Sequence, residues 1–349
     1  MWRVTLRDLQ WRRRRYVVSV AGTSLVFAMT LLLAGLGASF GAEVDNTLHA
    51  IGGDTWAVQA GSPGPFSNPA LLPDEAVQRV ARARGISHAD PVVIGYQPIH
   101  TGVSSLSANI IGIQPSGITQ LHVNRGRQPM SVGEAAVNAS LNLHLGQSFT
   151  SGKQRLRTVG ILENSTFNAG TPNVFVTTHQ AQDLALGGQP LISAVIASGV
   201  PHSRVPGLEF LSIAQVRTDL LKPFQKGSQS IDFVELLLWL VATAIVGSII
   251  YLSALERLRD FAVLKATGTS NADLTVSLVL QALFISLVAA AVGAVAASLL
   301  SPLFPLSVET PGSAFALLPA VAVVIAILAS VAGLRRAVGV QPALAFGGP

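Results

Sequence analysis

Four long runs without a charged residue punctuate the chain, and one long polar stretch separates the first from the other three. Tyr16–Phe40 is uncharged over 25 positions, enough for a helix to cross a hydrocarbon core of about 30 Å. Leu236–Ala254, Leu274–Leu300 and Ser313–Leu334 repeat the pattern, and Leu274–Leu300 runs 27 residues. The pattern predicts membrane helices at 16–41, 230–254, 274–300 and 313–334. A cleaved signal peptide competes for the first run. Its apolar region is typically about 7–15 residues long and ends at an A-x-A-like site. Here the run is longer and the site poor, so a retained helix is expected.

Residues 42–229 read differently, with Pro, Gly, Asn and Ser throughout, and are long enough for a core of their own. Strands are expected at Asp54–Gln59, Pro91–Pro98, Ser107–Ile113, Glu134–Asn138, Gln147–Thr150, Leu156–Leu162, Val174–Thr177 and Leu191–Ala197. Pro73 with Asp74 and Glu75 opens a helix that runs through Arg84 and stops at Gly85. Short helices are expected at His179–Leu186 and Ile213–Lys222. The fold class is therefore membrane α-helical, with four transmembrane helices and one large α+β domain between the first and second.

Charge then sets the expected orientation. Eleven of the 23 basic residues, among them Arg12, Arg13, Arg14, Arg15, Arg335 and Arg336, flank apolar runs on one side. With Asp8, Glu256, Asp260 and Asp273 they leave +7 on that side, against −2 for the rest. This is the asymmetry of a positive-inside protein. It places both termini in the cytoplasm and 42–229 outside a cell membrane, and it accounts for the basicity without nucleic acid. Residues 1–15 carry Trp2, Leu6 and Leu9 on one helical face, suited to the inner lipid interface. Residues 301–312, with Pro302, Pro305 and Pro311, form an outer hairpin; 335–349 is a cytoplasmic tail.

Candidate chemistry is sparse. The chain holds no cysteine, which excludes disulfides, thiol catalysis and cysteine-held clusters. His49, His88, His100, His122, His144, His179 and His202 show no metal-ligand spacing, and no catalytic motif appears. Gly146–Gln154 is a near miss to a phosphate-binding loop, with glycines one residue too far apart and Gln154 where Ser or Thr is needed. No catalytic residue, cofactor site or metal site is expected. Glu235 is the ionisable residue that comes near a membrane run, at its end. Gly37 and Gly41, with Ala34 and Ala38, form small-residue stripes suited to close helix contact; so do Ala289, Gly293 and Ala297.

One charged segment, residues 255–273, lies between two apolar runs. Leu255, Leu258, Phe261, Ala262 and Leu264 fall near helical spacing. Glu256 and Arg259 are three apart, as are Arg257 and Asp260. Gly268 is placed to end the helix, and Ser270 with Asp273 forms a capping box for the next. The segment reads either as a connector on lipid headgroups or as a helix whose apolar stripe meets a partner. Glu256-Arg257-Leu258-Arg259-Asp260-Phe261-Ala262-Val263-Leu264-Lys265-Ala266-Thr267-Gly268 resembles the E-R-x-x-E-I-G-x-L-[RK]-A-x-G signature of the MacB/FtsX family, the permeases of type VII ABC systems. It departs at Asp260, Phe261 and Ala262. Asn124-Arg125-Gly126-Arg127, Gly133-Glu134-Ala135-Ala136-Val137, Leu145-Gly146 and Val159-Gly160-Ile161-Leu162 resemble, in order, the pattern of that family's extracytoplasmic domain. The tail resembles the family's ending up to Pro342, after which the usual Glu and Arg are replaced by Leu344 and Gly347.

The resemblance implies a permease subunit working with a separate cytoplasmic ABC ATPase, which would bind the ATP and magnesium. Glu256, Arg257, Leu258, Arg259, Asp260, Phe261, Leu264, Lys265 and Gly268 would form the coupling helix. It also implies a homodimer of permeases on two ATPases, with Gly37, Gly41, Ala34 and Ala38 as candidate packing positions. The outer domain would move a substrate or act on a protein partner outside. Two alternatives stay open on resemblance: an FtsX-like regulator of a cell-wall hydrolase, and an amino-acid permease like actinobacterial relatives labelled for glutamine transport. A free-standing sensor or adhesin would leave Leu258, Phe261 and Leu264 unexplained.

Overall fold

The computed structural model describes residues 13–67, 70–102, 105–256, 262–263, 266, 268, 270–303 and 310–338, with side chains at all of these except 13–16, 226, 228, 232, 302 and 331–338. The chain forms two compact units, one of Phe40–Gly227 and one of the residues on either side.

In the first unit a mixed sheet is built from β1 (Thr55–Gln59), β3 (Ile86–His100), β4 (Ser105–Ile113), β5 (Arg125–Gly126), β6 (Glu134–Asn138), β7 (Ser148–Ser151), β8 (Gln154–Leu162), β9 (Thr166–Phe167), β10 (Thr171–Thr177), β12 (Ala194–Gly199) and β13 (Leu208–Ser212). Their order is β13-β1-β12-β3-β4-β10-β6-β8-β5, with β7 on β3 and β8 and β9 on β10. β2 (Leu72–Pro73) and β11 (Leu191–Ile192) pair separately. Most neighbours are antiparallel; β10 with β4 and β6 with β8 are parallel.

Strand alternation explains how this sheet is covered on both faces. On one face Ala57, Ala108, Ile110, Ala135, Val137, Val174, Val176, Val195 and Ala197 pack with α2 (Glu75–Ala81) and α3 (Thr178–Ala185) through Ala76, Val80 and Ala181. On the other face Trp56, Val58, Ile111, Ile113, Ala136, Phe175, Ala194 and Ile196 meet Val44, Leu48, Ile51, Val216 and Leu220. Those last five belong to α1 (Arg13–Ile51) and α4 (Ile213–Glu256). Gly95 and Gly112 leave room on β3 and β4 for α3, where an added Cβ would strike Ala185 and Ala181.

The second unit is helical. It holds the rest of α1 and α4, with α5 (Asn271–Leu300) and α6 (Gly312–Val338). Its buried core joins Phe27, Leu31, Val246, Ile250, Leu278, Ile285, Ile325 and Ala329 from all four helices. All four are long and apolar enough to cross a membrane. The small residues of α5 sit where helices approach closely. A Cβ on Gly293 would lie 2.8 Å from the Phe27 Cβ and 2.8 Å from the Ser24 carbonyl oxygen, and Gly247 of α4 faces Ala329 of α6 at 3.6 Å. Ala289 and Ala297 are buried on the same stripe.

Several elements differ from expectation. Ile213–Lys222 is not a separate helix: α4 continues through Pro223 to Glu256. Leu191–Ala197 divides at Ser193, whose hydroxyl accepts from the Ile94 N–H at 2.9 Å while its own N–H donates to Val92 O. β13 was not anticipated. The 1–15 helix up to residue 12, hairpin residues 304–309 and tail residues 339–349 lie outside the described residues.

Candidate functional site

The feature most suited to a function is the pair of long helices. Both α1 and α4 run unbroken from residues of one unit into residues of the other. Within the α+β unit they are clamped to each other and to the sheet. Arg217 of α4 donates through Nε to Asp45 Oδ1 at 2.6 Å and through Nη2 to Asp45 Oδ2 at 3.1 Å. This is the paired geometry that suits a guanidinium and a carboxylate. Phe40 and Phe224 stack at 4.7 Å between centroids. Gly41 lies beside Arg217, 3.7 Å from Nη2 to the position of a Cβ, whereas a Cβ on Gly37 meets nothing within 4 Å.

A buried amide network ties α1 to the sheet. The Asn173 amide donates to Thr47 Oγ1 at 3.3 Å and to Ser165 Oγ at 3.4 Å. Asn109 donates to Asn173 Oδ1 at 3.0 Å and to Phe167 O at 3.1 Å. Thr47 donates onward to Thr166 O at 3.1 Å, and Thr119 bonds Ile51 O at 2.7 Å. Amides buried in β4 and β10 stay there because each has partners; unpaired, they would cost about 1–3 kcal/mol apiece. At α4 the buried Asp219 accepts from Phe66 N at 3.0 Å, Ser67 N at 3.3 Å, the Ser67 hydroxyl and Lys222 Nζ at 3.3 Å. The loop after β1 is thereby fixed to the helix.

The segment expected to meet an ATPase is described only in part. Glu256 is exposed at the end of α4, Ala262 is buried, Val263 is exposed and Gly268 stands in a turn at φ +94°. That left-handed geometry suits a glycine closing a helix. Arg257, Leu258, Arg259, Asp260, Phe261, Leu264 and Lys265 lie outside the described residues. The capping box is formed: Ser270 Oγ accepts from Asp273 N at 3.2 Å, and an Asp273 carboxylate oxygen accepts from Ser270 N at 3.3 Å.

In the helical unit Glu235, Trp239, Thr30, Ala34 and Leu317 line a crevice of about 290 Å³. Gln281 donates to Ser253 Oγ at 3.1 Å, bridging α5 and α4. Among the described residues no three His, Asp or Glu side chains converge on a metal-sized site. His49 and His122 do line one shallow groove with Asn46, Asn124 and Glu163, a proximity their 73-residue separation in sequence conceals. Gly146–Gln154 forms the turn into β7 and the β7–β8 hairpin. The clamp residues Asp45, Arg217, Asn109, Asn173 and Asp219 were not anticipated. The legible signal was an asparagine directly before the apolar run of each strand, Asn109 before Ile110 and Ile111, and Asn173 before Val174, Phe175 and Val176.

The family description "MacB-like periplasmic core domain" fits residues 17–202, and "FtsX-like permease C-terminal" fits residues 233–342. The chain belongs to the MacB/FtsX family of ABC transporter permeases. Two relatives described as uncharacterized ABC transporter permeases, from Mycobacterium bovis and Mycobacterium tuberculosis, are each 44% identical over 344 residues, covering 99% of this chain and 99% of the relative. The crystal structure of the periplasmic region of MacB from Actinobacillus actinomycetemcomitans is similar at a TM-score of 0.38 and 14% identity, covering 50% of this chain and 95% of that one. The extracellular domain of the noncanonic ABC-type transporter YknZ from Gram-positive bacteria gives 0.34 and 16%, covering 42% and 84%. As a MacB/FtsX-type permease this chain is a multi-pass membrane protein, with its α+β domain between the first and second membrane helices.

Proposed function

We propose that this permease couples ATP hydrolysis by a separate cytoplasmic ATPase to movement of the α+β domain on the outer side of the cell membrane. The observation that carries the reading is the continuity of α1 and α4 into the α+β unit, where Asp45–Arg217, Phe40–Phe224 and the Asn109–Asn173–Thr47 network hold them. A helix gripped this way passes a displacement on rather than absorbing it in a loop. The positive-inside asymmetry supports cytoplasmic termini. Glu256–Gly268 is the segment that engages the ATPase. ATP binding would act through the ATPase's unequal affinity for two states of the permease, which is what shifts a population. Two permeases would pair on two ATPases, and Gly37, open on its face, is the position best suited to that contact.

The test is purification of the complex in mild detergent from native membranes, wild type beside Phe261→Asp/Leu264→Asp, with ATPase activity assayed in each eluate. An ATPase that co-purifies with the wild type and is lost from the variant supports the reading. Absence of ATPase from both, also after crosslinking, overturns it.

A further inference from the structure

The α+β unit carries 12 basic and 11 acidic residues, yet they are not evenly spread. Residues 125–157 hold Arg125, Arg127, Lys153, Arg155 and Arg157 with one carboxylate, Glu134. The fold gathers them at the β6–β8–β5 end of the sheet. Arg155 and Arg157 are two apart on β8, opposite Thr150 and Ser148 of β7, so they share a face. Glu134 lies beside Arg157 across the parallel β6–β8 pair. It is bound by Arg127 through both carboxylate oxygens and approached by Arg157 Nη2 at 4.0 Å. One carboxylate thus stands against two guanidinium groups, and all five cationic residues are exposed.

Three large apolar side chains are exposed among these cations. Met130, whose N–H donates to Glu134 at 3.1 Å, is 47% exposed, Val132 is 63% and Leu145 is 48%. Leu145 lies against Gly126 of β5. Arginines outnumber lysine four to one here. Arginine and methionine are the residues enriched at protein–protein contacts, where lysine is depleted. A guanidinium also offers a carboxylate two bonds at once. A purely polyanionic ligand would use the charges and leave Met130, Val132 and Leu145 in water.

We infer that this face docks a protein partner whose surface carries carboxylates around apolar side chains. The inference rests on the α+β domain acting outside the membrane, and it names the surface and the chemistry through which it acts.

The test uses the full chain in nanodiscs of zwitterionic lipid. The probes are a labelled peptide alternating Glu with Leu and Phe, and polyglutamate of equal charge, both read by fluorescence anisotropy. The alternating peptide is expected to bind at least about tenfold more tightly than polyglutamate, a difference of about 1.4 kcal/mol. Arg155→Glu/Arg157→Glu is expected to weaken it by about tenfold or more. Val132→Ser/Leu145→Ser is expected to weaken the alternating peptide and leave polyglutamate unchanged. Equal binding of the two probes would make the face a polyanion site. Binding to anionic-lipid vesicles in preference to either probe would make it a lipid site. Self-association lost in the arginine variant would make it a contact between copies, and unaltered binding in both variants would remove it as a site. Each of these overturns the inference. Co-purification of the ATPase with the arginine variant, followed in parallel, keeps a failure here separate from a failure of the permease reading.

Discussion

The two units bury their interiors by different physics. The α+β unit is held by a network of bonded polar groups inside it: Asn109, Asn173, Thr47 and Asp219 are all buried and all partnered. The helical unit draws its helices together over small residues, with Gly293 against Phe27 and Gly247 against Ala329, and with Gln281–Ser253 as a hydrogen bond between helices. Lipid tails are as apolar as leucine, so burying leucine among helices gains little there; close backbone approach gains more. In water the apolar faces of the sheet drive folding outright, and buried amides choose which arrangement forms. The units therefore have different weak points, steric in one and polar in the other.

The largest effect is expected from Gly293→Leu. Its side chain must displace the α1 backbone at Ser24, and overpacking of this kind costs about 1–3 kcal/mol or more. Gly37→Leu, facing open space, should leave the fold of a single copy unchanged. Thermal unfolding in nanodiscs separates the two. Loss of equal stability in both would mean that small residues do not set the packing of this unit. Next comes Asn173→Leu, which leaves the Asn109, Thr47 and Ser165 partners short of bonds and should cost about 1–3 kcal/mol, measurable by denaturant unfolding. A smaller cost, about 0.6 kcal/mol on average for such interhelical bonds, is expected from Gln281→Leu.

Acid sharpens the comparison from the other side. The Arg127 guanidinium, with the Met130 N–H and despite partial burial, holds the Glu134 carboxyl at about 2, below its ordinary 4.5. A carboxyl depressed on folding contributes stability that is fully present above pH 4.5 and is lost as pH falls toward 2. Arg127 is half exposed, so solvent screens the pair and the slope should be shallow. Glu134→Gln should flatten the acid limb of the α+β transition. An unchanged limb would mean that the pair contributes nothing. A comparably small stability effect is expected from Asp45→Ala, whose half-exposed clamp contributes about 0.2–1 kcal/mol. Its larger consequence should be in coupling, with ATPase activity retained and its effect on the α+β unit reduced.

How much of this the sequence revealed varied with the range of the interaction. The membrane helices follow from uncharged length alone, and β6 from a compact apolar run at Glu134–Asn138. β13 stayed hidden because Leu208–Ser212 is short, follows a Pro- and Gly-rich loop, and alternates legibly only once β1 is its neighbour. Ile213–Lys222 read as a short helix of its own, yet α4 continues through Pro223; packing of Val216 and Leu220 on the sheet holds the helix before the proline. The Asp45–Arg217 pair spans 172 residues, and no local pattern announces it. The candidate coupling residues rest on resemblance alone, and most lie outside the described residues.

The central claim is that ATP moves the α+β unit through helices fixed within it. The chain has no cysteine, so single labels can be placed cleanly at exposed Gln78 in the α+β unit and exposed Ser298 in α5. The direct measurement is the spin-label distance distribution between them in the reconstituted permease–ATPase complex, with and without a non-hydrolysable ATP analogue. A shifted distribution that returns to the nucleotide-free form in Asp45→Ala/Arg217→Ala is the result expected. An unchanged distribution in a complex that hydrolyses ATP would contradict the account.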